Sequence, residues 1–195
     1  MEKVISQYTS ALDELNVLTK TSYEQADSED IQARINQIVD DVLSFLIHAY
    51  TLGMEHASFM LAHDLTVDVE EMREAIYLII EGKTFEDRVA DHVIAGDLSG
   101  LYTLVESEFH RVYNTAVQDG GEDYVANGSF GVMKEWITLR DGRVRETHSY
   151  LEGATVPLED YFYTFDGDYA SFPGGFTKAE NNVRCRCMVR QFLDV

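Results

Sequence analysis

The sequence predicts an α+β protein in which a helical N-terminal region is followed by a small mixed α/β C-terminal module. Apolar residues recur every three or four positions over the first part of the chain, which is the spacing of amphipathic helices. Beyond a glycine-bearing segment, shorter stretches alternate as β-strands do. We therefore divide the chain into a helical region over 1–118, a linker over 119–131 and a module over 132–195.

The helical region is predicted to contain several helices joined by short loops. Asp27 or Ser28 is expected to cap the second and longest helix, in which Gly53 is the weak point. Thr84, with Asp87 at the third helical position, is typical of a capping box. The helices are expected over about 3–20, 31–62, 69–81, 84–96 and 98–117.

The C-terminal module is predicted to combine short strands with one short helix. Its glycine, proline and aromatic residues favour irregular structure between two longer strands. The expected order is a strand over 132–139, a turn over 140–142, a helix over 143–151, an irregular segment over 153–176 with one or two short strands near 161–165, and a closing strand over 183–193.

Charge is distributed unevenly along the 195 residues, whose net charge is -20. Residues 1–130 hold 25 acidic and 7 basic side chains, whereas residues 131–195 hold 10 and 8. The acidic part would be repelled by DNA and suits solubility or a basic protein surface, whereas the second part can approach phosphate. No apolar run approaches the roughly 18 residues of a membrane helix, and no secretory signal opens the chain, so we expect cytoplasmic synthesis without membrane contact.

The two cysteines, Cys185 and Cys187, are separated by one residue, which is poor geometry for a mutual disulfide. They are expected to be free thiols or metal ligands. On the predicted closing strand both would lie on the inner face, and Arg184, Arg186 and Arg190 would lie on the outer face.

A metal site would need further ligands, for which His148 and Asp141 are available. Zinc accepts Cys, His and carboxylate ligands in a tetrahedron, but two cysteines two positions apart on a strand are less usual than a Cys-x-x-Cys pair. The alternative is that both cysteines and His148 fill a small apolar core. The expectation is therefore either no cofactor or one structural zinc.

Asp141, Arg143, Arg145 and His148 together raise the question of acid/base catalysis or phosphate capture. Arginine and aspartate around a turn more often form ion pairs that stabilise the turn. No nucleophile, glycine-rich phosphate loop or pair of carboxylates accompanies them in the sequence. We therefore predict that the chain is not an enzyme.

Three histidines of the second predicted helix, His48, His56 and His63, are seven or eight positions apart. They lie near one helix face but about 11–12 Å apart along the axis, which is too far to share a metal ion. We expect ordinary surface or interfacial histidines.

Several short motifs follow one another in a specific order. They are Ser107-Glu108-x-x-Arg111-x-x-Asn114-x-Ala116, Lys134-x-Trp136, Asp141-x-Arg143-Val144-Arg145-x-x-His148, Leu151-x-Gly153 and Cys185-Arg186-Cys187. Their order resembles the phage head morphogenesis domain, the family of minor head proteins related to the F protein of phage Mu and the minor head protein of phage SPP1. The resemblance covers about residues 100–190. Ser107 stands where the family usually has Thr, and Arg184 stands where it usually has Asn.

This resemblance implies a non-enzymatic minor head (capsid) protein of a tailed phage or prophage, made in the host cytoplasm and located in the virion, inside the head. It implies a role in head morphogenesis and in DNA packaging or delivery near the portal, with the portal protein or the major capsid protein as partner. The helical region would dock on that partner through its apolar stripes. Arg184, Arg186 and Arg190 would face packaged DNA, and an extended second helix would favour oligomers.

Two other classes of function stay open. One is an acidic adaptor or scaffold protein that binds a protein partner without contacting DNA. The other is a metal-dependent enzyme or toxin-related domain, because such head domains are sometimes fused to toxin domains in their relatives. We expect no additional C-terminal segment that would hold a toxin domain, and this lowers the second option.

Overall fold

Helices form the N-terminal part of the chain, as the apolar spacing predicts. The computed structural model describes residues 1–25, 30–128, 130–140 and 142–194, and it has an α+β fold. None of the described helices is both long enough and apolar enough to cross a membrane. The helices of this part are α1 (Glu2–Gln25), α2 (Ile31–Leu61), α3 (Val69–Ile76), α4 (Phe85–Ala95) and α5 (Leu98–Asn127).

The two longest helices, α2 and α5, pack against each other at the centre of the fold. Their apolar stripes are buried, including Leu46 of α2 and Phe109 of α5. A Cβ at Gly53 would collide with the main-chain carbonyl of Tyr113 and with the side chain of Ala116. The predicted weak point of α2 is therefore a point of close approach between the helices.

Helix α5 extends beyond its predicted end. It continues through residues 119–127, which the sequence analysis assigned to a linker. Gly120 packs against Ala57, and Gly121 packs against Gln191, each in a space too small for a Cβ. This close packing stabilises the helix against the low helix propensity of the two glycines.

Helix α3 is shorter than predicted. It ends at Ile76 and not near residue 81, because Ile80 leaves the helix and pairs with Lys83 in an isolated bridge. The residues between, 77–79, have the sequence Tyr-Leu-Ile and are exposed. We call them the exposed apolar segment.

Side chains cap the starts of α2, α3, α4 and α5. Thr84 and Asp87 form the capping box that the sequence predicts. Helix α2 is capped by the carboxylate of Asp30. Asp27 and Ser28, the caps that the sequence suggests, lie outside the described residues.

The C-terminal part of the described chain contains two antiparallel sheets and two short helices. The elements are β1 (Gly131–Ile137), α6 (Glu146–Ser149), β2 (Thr155–Pro157), β3 (Phe162–Tyr163), β4 (Tyr169–Ala170), α7 (Ala179–Asn182) and β5 (Met188–Asp194). The larger sheet has the strand order β2-β1-β5, and the smaller sheet pairs β3 with β4. In the larger sheet Trp136 is opposite Val189, and Glu135 is opposite Arg190. The short strand expected near 161–165 is β3.

The closing strand starts later than predicted, at Met188 and not at residue 183. The amide of Cys185 donates to the carbonyl of Asn182, and Arg184 has a φ of 56°, so the chain turns before the strand begins. Both cysteines precede β5. The predicted alternation of a cysteine face and an arginine face along one strand is therefore wrong.

Helix α6 is also shorter than the predicted helix over 143–151. Arg145 has extended backbone with a ψ of 156°, which delays the helix start to Glu146. The side chain of Arg145 instead reaches the carbonyl oxygen of Val183.

One apolar core joins both parts of the chain. Trp136, Cys187 and Met188 belong to the same buried cluster as apolar residues of α1, α2, α4 and α5. The C-terminal strands therefore fold directly onto the helices, and this packing positions the site described next.

Candidate functional site: a cysteine-histidine cluster beside an arginine-lined cleft

His148, Cys185 and Cys187 form a buried group that we call the Cys-His cluster. Nδ1 of His148 lies 3.4 Å from Sγ of Cys185 and 3.5 Å from Sγ of Cys187. The possible ligand atoms of these three side chains all lie within 4.8 Å of one another. Among the described residues, this group of His, Cys and carboxylate side chains is close enough together to hold a metal ion. Asp141, the other ligand that the sequence suggests, lies outside the described residues.

Aromatic side chains fix the orientation of His148. Its ring meets Trp136 edge to face with centroids 5.5 Å apart and stacks on Phe176 at 5.2 Å. Trp136 is fully buried on β1 and also packs on Phe162 at 5.1 Å. This packing holds the imidazole with Nδ1 towards both sulfur atoms.

The two thiols have very different proton affinities. Burial acts to raise the pKa of Cys185, but hydrogen bonding to Cys187 and interactions with His110 and His148 lower this pKa well below its ordinary value. The hydrogen bond to Cys185, together with burial, raises the pKa of Cys187 far above its ordinary value. The hydrogen bond between the two thiols therefore favours ionisation of Cys185 over ionisation of Cys187. The thiolate is the form of cysteine that binds metals.

His110 of α5 also contacts Cys185. Nδ1 of His110 lies 2.7 Å from the hydroxyl of Tyr8, and the side-chain amide of Asn114 lies 3.4 Å from the same nitrogen. All three side chains are buried. Helices α1 and α5 thus fix the surroundings of the cluster.

An open cleft of about 970 Å³ lies beside the cluster and has Cys185 in its wall. Four arginines line it, and we call it the arginine-lined cleft. They are Arg143, Arg145, Arg184 and Arg186. The other charged residues of its lining are Lys20, Asp13 and Glu106. Basic residues therefore predominate here, in a chain whose net charge is -20.

Hydrogen bonds hold two of these arginines. The guanidinium of Arg184 donates to Oγ1 of Thr103 at 2.9 and 3.2 Å, and its main-chain amide donates to Oγ of Ser107 at 3.4 Å. Arg145 donates to the carbonyl oxygen of Val183 at 2.5 Å. These bonds connect the cysteine-bearing turn with α5 and with the residues before α6.

Arg190 does not line the cleft. It lies on β5 opposite Glu135 of β1 and forms an ion pair with that carboxylate. Arg184 and Arg186 precede the strand, so the expected common face of the three arginines does not form. The arginines that come together are those of the cysteine-bearing turn and those before α6.

A family model described as "Phage Mu protein F like protein" matches residues 70–190. This range is more than half of the chain. The chain belongs to this family. The matched range contains the whole Cys-His cluster and all four arginines of the cleft, together with the motifs on α5.

A curated relative of this Phage Mu F-like chain is the NAD(+)--arginine ADP-ribosyltransferase EFV of Enterococcus faecalis (strain ATCC 700802 / V583), which is 23% identical over 174 residues. The aligned part is 88% of this chain but 35% of the relative, so the chain spans about a third of that protein. No solved structure matches the chain.

The motif on α5 of the Phage Mu F-like chain contains a buried ion-pair network. Glu108 accepts hydrogen bonds from Arg88 at 2.7 Å and from Arg111 at 2.8 Å. Burial acts to raise the pKa of Glu108, but the two arginines hold this pKa below its ordinary value. The network joins α4 to α5 and has a structural role.

Gly153 of the family-like motif occupies a turn that needs glycine. Its φ is 77°, which side chains disfavour, and its amide donates to the carbonyl oxygen of Trp136 at 2.9 Å. The turn thereby connects α6 to the strand that bears Trp136.

Lys134 is a buried residue whose environment the sequence analysis missed. Its Nζ lies 3.3 Å from Oε1 of Gln118 and 5.6 Å from the ring centroid of Phe162. Burial lowers the pKa of Lys134 to about 8. A sequence signal was present, because the period of two along β1 places Lys134 on the same face as Trp136.

Asp168 is a second buried residue that the sequence analysis missed. Its carboxylate accepts from the amides of Tyr169, Thr177 and Lys178 and from the side chain of Asn181. Burial acts to raise the pKa of Asp168, but these hydrogen bonds keep this pKa below its ordinary value. Three of the partners are 9 to 13 positions away, so no local pattern reveals this role.

Of the three histidines on α2, His48 and His63 are exposed, as expected. His56 is not at the surface: it is buried, and its Nδ1 lies 2.8 Å from the hydroxyl of Tyr113. Helix α1 covers this part of α2 through Gln7, which lies 3.3 Å from Nε2.

Proposed function

We propose that the protein is a non-enzymatic minor head (capsid) protein of a tailed phage or prophage, which acts in head morphogenesis and in the packaging or delivery of DNA near the portal. The proposal rests on membership of the Phage Mu F-like family over residues 70–190. Its location would be the virion, inside the head, after synthesis in the host cytoplasm.

The arginine-lined cleft supports a contact with DNA. Four arginines meet there, whereas most of the remaining chain is acidic. A phosphate group would meet the least repulsion at this cleft. Contacts of arginine with phosphates do not read the base sequence, so binding would be non-specific and would weaken with salt.

The exposed apolar segment supports docking on a portal or major capsid protein. The helical stripes expected to dock are instead buried against one another in the core. Tyr77 and Ile79 remain 60% and 62% exposed, and the segment lies within the range of the family match. Apolar and aromatic side chains of this kind commonly form the centre of protein interfaces.

Co-assembly tests this role. The tagged full chain, produced with the portal and major capsid proteins of the same phage or prophage, should sediment with the heads in a density gradient. The double variant Tyr77→Ser/Ile79→Ser should be depleted from the heads. Ile94→Ser is the matched control, because Ile94 is 67% exposed on α4 and lies outside the segment. Absence of the wild-type protein from the heads would contradict the proposal.

Salt-dependent binding tests the DNA contact separately. The variant Arg143→Gln/Arg186→Gln should bind duplex DNA more weakly, and the slope of log K against log salt should fall by about one for each lost phosphate contact. Arg73→Gln/Arg140→Gln removes the same charge outside the cleft lining and should leave the slope unchanged. If the wild type retains no DNA at low salt, the acidic adaptor is the better interpretation.

We also propose that this chain has no transferase activity of its own. The relative is named for ADP-ribosyl transfer, but the aligned part is 35% of that protein, which leaves most of its length to hold the activity. Incubation of the full chain with NAD⁺ and an arginine-rich acceptor should give no ADP-ribosylarginine. Formation of this product above the buffer control would establish the enzymatic alternative.

A further inference from the structure

The Cys-His cluster has the spacing of a metal site. In a tetrahedral zinc site, Zn–S bonds of about 2.3 Å and Zn–N bonds of about 2.0–2.1 Å place a sulfur and a nitrogen ligand about 3.6 Å apart. Nδ1 of His148 lies 3.4 Å from Sγ of Cys185 and 3.5 Å from Sγ of Cys187. A single ion between these atoms can bind all three with little movement of the side chains.

The imidazole of His148 has few good hydrogen-bond partners. Nε2 of His148 is buried and has no hydrogen-bond partner among the described residues. Nδ1 faces two sulfur atoms, which are weak hydrogen-bond partners. Burying a polar ring with such partners costs free energy, and coordination of an ion by Nδ1 would offset that cost.

The donor atoms indicate which ion would bind. Two sulfurs and one imidazole nitrogen select zinc and other soft or borderline metals over magnesium or calcium, which prefer oxygen ligands. Cys185 lies both in the cluster and in the wall of the arginine-lined cleft, so an ion has a path from solvent. We propose that His148, Cys185 and Cys187 bind one Zn²⁺ ion, with the fourth ligand supplied from the side of the cleft.

The position of the cluster indicates a structural role for this ion. It would join His148 of α6 to cysteines that are 37 and 39 positions further along the chain. Regular structure between them is sparse among the described residues, since β2 has 3 residues, β3 and β4 have 2 each, and α7 has 4. Arg184 and Arg186 flank the ligand Cys185, so the ion would also hold these arginines at the cleft.

Metal content of the full chain, purified without chelator from zinc-supplemented cells, tests the site. We expect about one zinc per chain in the wild type. Cys185→Ser, Cys187→Ser and His148→Ala should each lose most of it. His56→Gln, which alters a buried histidine outside the cluster, should retain it. Retention of zinc by all three ligand variants would overturn the proposal.

A second measurement uses only the wild type, so it tests the site even where the ligand variants fail to fold. The protein is stripped with a chelator, checked for helix content by circular dichroism and titrated with Co²⁺. We expect thiolate-to-cobalt charge-transfer absorption that saturates at about one equivalent and disappears on addition of Zn²⁺. A folded protein that contains no zinc as purified and shows no such absorption would overturn the proposal. Neither measurement depends on DNA or head assembly, so the result stands apart from that of the proposed function.

Discussion

Gly53 of α2 lies directly against the main-chain carbonyl of Tyr113 in α5. This contact sets the distance between the two central helices, on which the C-terminal strands also pack. The side chain of Tyr113 meanwhile contacts Tyr8 of α1 and His56 of α2. Tyr113 thus connects α5 with both α1 and α2.

Substitution of Gly53 tests the importance of this close approach. Gly53→Ala gains helix propensity of about 1 kcal/mol but forces the helices apart, at a cost of about 1–3 kcal/mol. We expect a net loss of stability in urea denaturation. Gly142→Ala is the control, because a Cβ at Gly142 meets nothing within 4 Å, and its stability should change by less than about 0.5 kcal/mol. A Gly53→Ala variant more stable than the wild type by the full propensity gain of about 1 kcal/mol would show that the helices can separate at no cost.

The buried network around Glu108 gives a second prediction. Glu108→Gln leaves Arg88 and Arg111 without their common carboxylate, and breaking a buried pair in this way costs about 3–5 kcal/mol. The measurement is the free energy of unfolding in urea. Glu70→Gln, which breaks an exposed pair with Arg73, should cost less than about 1 kcal/mol. Equal effects of the two substitutions would argue against a structural role for the network.

The helical part of the fold could be predicted because its apolar spacing coincides with its buried faces. The predicted linker failed for a physical reason: glycine lowers helix propensity in isolation, whereas Gly120 and Gly121 are the residues that close packing requires. His56 was expected at the surface or at an interface, because periodicity alone does not show which neighbouring helix covers a face. The turn that bears the cysteines was predicted as strand from its period-of-two pattern. That pattern does not reveal the positive φ of Arg184, which interrupts the extended backbone.

The candidate site was predictable in residue type and order but not in geometry. Ser107 and Arg184 are the two positions at which the chain departs from the expected family pattern, and the structure places them in contact through a hydrogen bond. They are 77 positions apart, so a single sequence does not reveal that they meet. The arginines of the cleft likewise come from two separate turns, which only the tertiary fold brings together.

Burial of His56 predicts a loss of stability in acid. Burial, together with the charges of Lys3 and the N-terminus, lowers the pKa of His56 from 6.5 to about 4. Between these pH values the unfolded chain binds a proton that the folded chain does not, so the free energy of unfolding falls as the pH falls from 6.5 to 4. We expect His56 to lower the free energy of unfolding by up to about 3 kcal/mol over this pH range.

Comparison with His56→Gln isolates this effect. Asp119 has the opposite influence, because burial raises its pKa to about 7, so the total pH dependence of the wild type partly cancels. The difference in unfolding free energy between the wild type and His56→Gln should change over pH 4 to 6.5. A constant difference across this range would show that folding does not lower the pKa of His56.

Burial of Lys134 predicts a gain of stability in base, a pH dependence of the same sign as that of His56. Its pKa falls from 10.5 to about 8 because burial disfavours the ammonium. Between these values the unfolded chain holds a proton that the folded chain has lost, so the free energy of unfolding rises with pH, by up to about 3 kcal/mol. Lys134→Met keeps the apolar stem and removes the charge, and Gln118 retains its bonds to Glu122 and Leu158. This variant should be about 1–3 kcal/mol more stable than the wild type at pH 7 and should lose the rise.

Urea denaturation at several pH values from 8 to 10.5 measures the difference between Lys134→Met and the wild type. Other groups titrate in this range, but they contribute equally to both proteins and cancel in the difference. Lys20→Met makes the same substitution at an exposed position and should follow the wild-type curve. If Lys134→Met and the wild type run parallel over the whole range, Lys134 keeps its charge in the folded state, and Gln118 and the ring of Phe162 are sufficient to stabilise a buried ammonium.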